Sequence, residues 1–311
     1  MFEQLIVMLL AVAIDLAFGE PPHRIHLTVW IGRFIEVMEP RLRRLRNERV
    51  AGVLLASFTI ASFTTIGFLV QIICQLNYVV GVVASAFFLK MTFALRCMFE
   101  HIKPIISSLE AGDIEGSRKY LSRVVRRDTS ILDRRLIASG AIETVAEGFV
   151  DGFISPIFFY LLFGLPGAVA YRAINTLDSI VGYRDERYLR FGWASAKLDT
   201  IANYIPSRFT YLIFALASFI LKMDWRGALK MGWVYHASTP SFNAGWPMST
   251  MAGALRVRLE KIGSYTLGEE LEPLSPKKIK DSLNVYAVSA AITVLLFSIL
   301  ILILIVTKSF L

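Results

Sequence analysis

The sequence predicts an all-α, polytopic membrane protein. It should have about five transmembrane spans, short re-entrant or buried helices and a cytoplasmic helical layer. Three observations predict this. The chain has 311 residues, 55% of them hydrophobic, with a mean hydropathy of +0.56, which is high for a soluble domain. Apolar runs of membrane length recur along it. Charged residues collect in four polar segments between those runs, at 19–49, 96–151, 171–208 and 222–283. We read residues 1–311 as a single integral membrane domain.

The elements follow in order. The run 5–18 carries an ionisable residue, Asp15, inside apolar sequence. Such a residue is a functional candidate by default, although the Gly19-Glu20-Pro21-Pro22 turn beside it also fits an interfacial role. The runs 50–73 and 76–95 are near-continuous, interrupted at Gln71, Gln75 and Asn77, and 284–306 ends in LLFSILILILIV. These three read as transmembrane helices. The run 153–170 contains Pro156, Gly164, Pro166 and Gly167. The run 209–221 is about 13 residues long, roughly 20 Å as a helix against a hydrocarbon core of about 30 Å. With 5–18, these shorter runs fit a tilted span, a re-entrant element or a helix buried in protein. The N-terminus does not read as a cleavable signal: it lacks a basic region, and FGEPP follows Ala17. Cys74 and Cys97 match neither a disulfide framework nor a zinc site and read as inert buried thiols.

The formal net charge is +8. The positive-inside rule accounts for it without a nucleic-acid partner. Arg41, Arg43, Arg44, Arg46 and Arg49 precede the run at 50. Arg118, Lys119, Arg123, Arg126, Arg127, Arg134 and Arg135 follow the run that ends at 95. Residues 50–95 then form a hairpin with both ends cytoplasmic. Segment 96–151 reads as helical with a break at Glu110-Ala111-Gly112-Asp113. Beyond it Ile114, Leu121, Val124, Val125, Ile131, Leu132 and Leu136 make an apolar stripe at helix-like spacing. If 153–170 and 209–221 do not cross fully, all four polar segments share the cytoplasmic face. The shortness of one and the Pro and Gly of the other favour that arrangement.

Several constellations carry possible chemistry. Glu143, Glu147 and Asp151 are spaced i, i+4, i+8, one face of a helix, suited to Mg²⁺ through a nucleotide's phosphates or simply to a solvated face. Asn175 and Asp178 are an i, i+3 pair. Arg184, Glu186 and Arg187 follow; Arg forks suit phosphate and carboxylate, and a local ion-pair network is the plain alternative. Lys197, Asp199 and Asn203 lie close together beyond them. Asn243-Ala-Gly245-Trp246-Pro247 reads as a rigid turn, preceded by His236, whose Gly permits close backbone approach. His23 and His26 have no further His or Cys nearby to complete a metal set. No G-x-x-x-x-G-K-S/T, G-x-G-x-x-G or G-x-S-x-G motif is present, so any nucleotide site is unconventional.

In this order the segments resemble the adenosylcobinamide-phosphate synthase family, the CobD/CbiB membrane proteins of cobalamin biosynthesis. Asp15-Leu-Ala-Phe-Gly19-Glu20-Pro21 resembles the family's D-x-x-x-G-D/E-P. His26 and Gly32 fit the following H-P-V-x-x-x-G, with Leu27 and Thr28 in place of Pro-Val. Glu143 to Glu147 with Asp151-Gly152 resembles E-S-x-A-E-N-x-x-D-G, with Gly148 in place of Asn. Asn175-Thr176-Leu177-Asp178-Ser179, Gly182-Tyr183-Arg184, Glu186-Arg187-Tyr188, Phe191-Gly192, Lys197-Leu198-Asp199 and Ala202-Asn203-Tyr204-Ile205-Pro206 match closely. Asn243-Ala-Gly-Trp-Pro247 and Ala252-Gly253-Ala254-Leu255 complete the set. Each piece is weak alone; the ordered set is specific.

The resemblance implies an amide ligation. The propionate carboxylate of adenosylcobyric acid would be joined to (R)-1-amino-2-propanol or its O-phosphate. ATP and Mg²⁺ would be cofactors, with an acyl phosphate as the simplest activated intermediate. The protein would be a multi-pass plasma-membrane enzyme in contact with lipid, its site facing the cytoplasm. Assembly as a homo-oligomer, or with other cobalamin-pathway enzymes, is left open. Residue chemistry then assigns roles. Asp178, Arg184, Arg187, Lys197 and Asp199 form the catalytic set, Asp199 receiving the amine's proton. Asn175, Glu186, Asn203, His26, Asn243 and Trp246 contact substrate. Glu143, Glu147 and Asp151 hold the metal, with Asp178 available as a further ligand. A corrinoid transporter and a scaffold for other pathway enzymes are the alternatives. A lipid-type phosphotransferase is disfavoured, because Asp151-Gly152 runs into Phe-Ile-Ser-Pro.

Overall fold

A computed structural model describes residues 2–73, 77–183 and 185–309. It is helical almost throughout, and the chain divides into two compact units. One comprises Met1–Leu95, Ser155–Asn203 and Leu296–Leu311; the other comprises Arg96–Ile154 and Tyr204–Leu295. Among the described residues, three helices are long and apolar enough to cross a membrane: Glu48–Ile72, Arg134–Val181 and Pro276–Thr307. Shorter apolar helices, Tyr78–Lys90 and Tyr204–Ile220, accompany them. This is the all-α membrane protein that the apolar runs predict.

In the first unit, α1 (Phe2–Phe18), α2 (Leu27–Leu42), α3 (Glu48–Ile73), α4 (Tyr78–Lys90), α8 (Ser155–Val181) and α9 (Trp193–Ala202) pack together. α3 is the 26-residue helix expected from the unbroken apolar run. The run 76–95 differs from expectation. Its helix has 13 residues and stops at Lys90, with Met91 as its C-cap, about 20 Å of rise. Cys74, expected as a buried thiol, lies outside the described residues. α8 has 27 residues with a non-helical Gly164 inside it, at φ 68°, just before Pro166. It continues to Val181, so the first eleven residues of the polar stretch 171–208 belong to an apolar helix. Phe159 stacks on Tyr171, with ring centroids 5.3 Å apart.

In the second unit, α5 (Arg96–Glu110) and α6 (Ile114–Leu121) are separated at the expected break. Asp113 caps α6 by accepting a hydrogen bond from the Gly116 amide at 2.8 Å, which satisfies an end donor of the helix. The apolar stripe to Leu136 is not one helix. α6 ends at Leu121 and irregular backbone runs to Asp133, whose side chain caps α7 (Arg134–Phe149). Leu121, Leu132 and Leu136 are buried and Ile131 is exposed. Cys97 is half-buried rather than buried, with Sγ 3.2 Å from Nδ1 of His101.

A π-helical turn, Val150–Ile154, follows α7. α10 (Tyr204–Ile220), α11 (Trp225–Tyr235) and α12 (Gly245–Leu255) come next, then a hairpin of β1 (Leu259–Lys261) and β2 (Tyr265–Leu267), then α13 (Pro276–Ser309). α10 has 17 residues rather than 13, because Tyr204-Ile-Pro-Ser-Arg forms its first turns. The hairpin pairs Lys261 with Tyr265 around Gly263. The core of this unit is aromatic: Phe149 lies 5.0 Å from Phe214 and 5.4 Å from Tyr286, centroid to centroid.

Candidate functional site

The polar chemistry falls into clusters within each unit. In the first unit the last turns of α8 face α9. Asn203 caps the C-terminus of α9 and is fully buried. Its Nδ2 donates to both oxygens of Asp199 at 3.1 Å. Its Oδ1 accepts from Ser155 at 2.7 Å and from Tyr171 at 2.8 Å. Asn175 donates to Asp199 Oδ1 at 3.4 Å and accepts from Arg172 at 3.0 Å. Arg172 in turn holds the backbone carbonyl of Thr92. The two amides thus brace one carboxylate. Burial pushes the Asp199 carboxyl above its ordinary value, against the amide hydrogen bonds that favour its charged form.

The sequence-named residues are distributed unevenly around this cluster. Asp178 is half-buried on α8. Lys197 and Glu186 are exposed. Arg187 is paired with Glu39 at 3.2 Å and lies 5.0 Å from the Tyr188 ring. Arg184 lies outside the described residues. His26 caps α2, its Nδ1 accepting from the Thr28 amide at 3.2 Å while its Nε2 meets Glu20 at 2.6 Å. With Nδ1 accepting, the network assigns the proton to Nε2. Both ring nitrogens are therefore engaged within the protein. Glu20 also lies 3.1 Å from Lys90. Burial raises its carboxyl pKa, but the His26 hydrogen bond and Lys90 outweigh that and leave it below its usual value.

In the second unit Glu143, on α7, is buried and paired with Arg127. It also accepts from Ser139 at 2.6 Å and from the Tyr265 hydroxyl at 2.9 Å. Burial, then the Glu143 charge, pushes the Tyr265 hydroxyl up, so it stays protonated as a donor. Glu147 is exposed one turn on. Asp151 falls in the π turn, which changes the helical phase, so the i+8 spacing no longer continues the face of Glu143. Among the described residues no group of three or more His, Cys, Asp or Glu is placed to hold a metal ion. The three carboxylates as they stand do not make a closed metal cage.

A third cluster surrounds α12. Asn243 is buried, and its Oδ1 accepts from Arg208 at 3.0 Å and from Ser207 at 3.4 Å. Arg208 stacks over Tyr204 at 3.6 Å and lies 5.3 Å from Trp246. Trp246 is buried with its ring stacked on His236, 4.0 Å between centroids. The Gly of the motif does allow close backbone approach: a Cβ on Gly245 would lie 1.9 Å from the His236 carbonyl oxygen. Gly245, Trp246 and Pro247 begin a helix rather than complete a turn.

Sequence reasoning missed Arg172, Tyr171, Lys90, Arg127, Ser139, Tyr265 and Arg208 as cluster members. Arg127 was visible only as one of several topological cations. Tyr265 carried no signal, because it reaches Glu143 from a hairpin 122 residues away.

The family model for the CobD/CbiB protein matches residues 8–305. The chain is 41% identical over 285 residues to the "Probable cobalamin biosynthesis protein CobD" of Thermoplasma acidophilum, covering 92% of this chain and 93% of that one. It is 39% identical to the cobalamin biosynthesis protein CobD of Dehalococcoides mccartyi, over 90% of this chain and 92% of the relative. It is 34% identical to that of Klebsiella pneumoniae, over 91% and 93%. No solved structure matches the chain. Matched from Met8 nearly to the end of its last helix, and carrying the ordered motifs in the clusters described above, the chain belongs to the CobD/CbiB family of cobalamin biosynthesis proteins.

Proposed function

We propose that the protein is an ATP-dependent amide ligase of the plasma membrane, with its site on the cytoplasmic side. It would join the propionate carboxylate of adenosylcobyric acid to (R)-1-amino-2-propanol or its O-phosphate. Family membership across residues 8–305 carries this reading. The state of Asp199 supports it locally.

A free carboxylate and an amine do not condense in water, so the carboxylate is activated first. One propionate oxygen bonds to the γ-phosphorus of ATP and the bond to the leaving ADP breaks. The substrate's ammonium gives up one proton to become a nucleophile, and Asp199 is the acceptor. A carboxyl whose pKa is raised by burial is a stronger base than an exposed one. Asn203 and Asn175 hold it in one orientation. The amine nitrogen then bonds to the acyl carbon, the carbon–oxygen bond breaks, and inorganic phosphate leaves with the second proton. Lys197, exposed on α9, stabilises charge on the transferring phosphoryl group, and Arg187 joins it only on leaving Glu39. Mg²⁺ would arrive on the nucleotide's phosphates; among the described residues Glu143, Glu147 and Asp151 do not form a cage for it.

The test uses the purified protein in detergent with adenosylcobyric acid, aminopropanol or its phosphate, ATP and Mg²⁺. The reading expects the amide product by mass spectrometry. Absence of product, together with corrinoid accumulation in vesicles containing the protein, would replace it with a transporter.

A further inference from the structure

In the first unit, Arg46, Asn47, Glu48, Arg49 and Arg190 line a cavity of about 850 Å³. Its cations differ from their neighbours. Arg43 is committed to Glu39 at 2.8 Å and lies 4.2 Å from the Phe191 ring centre. Arg187 is committed to the same carboxylate. Arg46, Arg49 and Arg190 form no ion pair among the described residues, and Glu48 is the one carboxylate in the lining. The Glu48 carboxylate stands 4.0 Å from Arg43.

The positions of these arginines are set by backbone rather than left to solvent. The Asn47 side chain accepts from the amides of Arg49 and Val50 at 3.1 and 3.3 Å, which fixes the start of α3 between Arg46 and Arg49. Asp185 accepts from the Tyr188 amide at 2.9 Å, and the Gly192 amide bonds the Tyr188 carbonyl at 2.6 Å, which fixes the turn that carries Arg190. Two segments more than 140 residues apart therefore aim three guanidinium groups at one concavity. A topological signal needs cations on one side of a span; it does not need them to converge from distant segments. Convergent like charges repel until an anion bridges them. The forked donors of Arg match phosphate oxygens.

Size narrows the ligand. A volume of about 850 Å³ lies in the range of small-molecule sites, roughly 300–1,000 Å³, and exceeds what one phosphate fills. Arg49 lies 5.7 Å from the half-exposed Trp193 ring, a flat surface beside the cations. We propose that this cavity is a polyphosphate site, in which Arg46, Arg49 and Arg190 hold clustered phosphate groups. The occupant is the triphosphate of a nucleotide. That choice rests on the ligase reading; the headgroup of an anionic lipid is the other source of the same chemistry.

The test places the full-length protein in nanodiscs of zwitterionic phosphatidylcholine and measures binding of radiolabelled ATP, with inorganic triphosphate as competitor. Arg46→Ala/Arg190→Ala should weaken ATP binding at least about tenfold, the loss of one or more charge-assisted contacts. Arg44→Ala, outside the cavity, should not. Unfolding midpoints establish that each variant is folded, and Arg46→Lys/Arg190→Lys should recover part of the affinity. A second arm adds phosphatidylglycerol and uses native mass spectrometry to count retained lipid. If the double variant loses that lipid while ATP binding is unchanged, the phosphate site stands with lipid as its occupant. If ATP and lipid both bind as in the Arg44→Ala protein, the proposal is overturned. Arginine-dependent triphosphate binding without amide product would keep the site and discard the ligase.

Discussion

Lys90 Nζ lies 3.4 Å from Asp15 Oδ1, and the two side chains are 1% and 0% exposed. Each charge offsets the cost of burying the other. Lys90→Met should remove the cation beside both Asp15 and Glu20 and destabilise the protein by about 3–5 kcal/mol. The double variant Asp15→Leu/Lys90→Met should recover part of that, Glu20 keeping His26 but not Lys90. Thermal unfolding in detergent measures both. A single variant as stable as the wild type would show that the pair has no energetic role.

Asp199 predicts a pH dependence. Its carboxyl pKa is raised in the folded protein. As pH rises, the unfolded chain releases this proton first, so the native state loses stability above the ordinary carboxylate range and is unaffected well below it. Asp199→Asn keeps an oxygen for the Asn203 amide and removes that cost. Its midpoint should exceed the wild type's at about pH 8, and the gain should vanish near pH 3. Ligation should be lost at every pH. A variant with full turnover would remove Asp199 from the mechanism.

Arg127 and Glu143 should be energetically coupled. Both are largely buried, and Tyr265 and Ser139 complete the carboxylate's partners. Glu143→Gln and Arg127→Ala should be non-additive in a double-mutant cycle, with a coupling of roughly 0.5–3 kcal/mol. Tyr265→Phe alone should cost about 1 kcal/mol, the worth of one hydrogen bond. Additive effects in the cycle would contradict the observed pairing.

Gly245→Ala should be disruptive although the change is one methyl group. The new Cβ meets the His236 carbonyl, a backbone atom that cannot swing aside. The start of α12 must move, which separates Trp246 from His236. We expect a loss of about 1–3 kcal/mol and a shifted tryptophan emission maximum. Wild-type stability and emission would show that the contact yields freely.

Much of the fold is legible locally. α3 and α13 follow from unbroken apolar sequence, and the break between α5 and α6 follows from Gly112 and Asp113. The close approach at Gly245 follows from the glycine in its motif. Each of these depends on residues within a few positions of one another. The pairing of Lys90 with Asp15 was not legible, because the two lie 75 residues apart in the chain. The phase of Asp151 was not legible either, because a π turn leaves no periodic signal.

By itself, the sequence determined the all-α membrane class, the family and the order of its motifs. Helix formation and apolar length are local properties, and the motifs are contiguous residues. Tertiary structure decided which of those residues share a partner. It turned His26 to a helix cap, Asn203 to a brace for Asp199, and Glu143 to Arg127 and Tyr265. A buried polar group must find its bond wherever packing brings a complement, and that complement lies far along the chain as often as near.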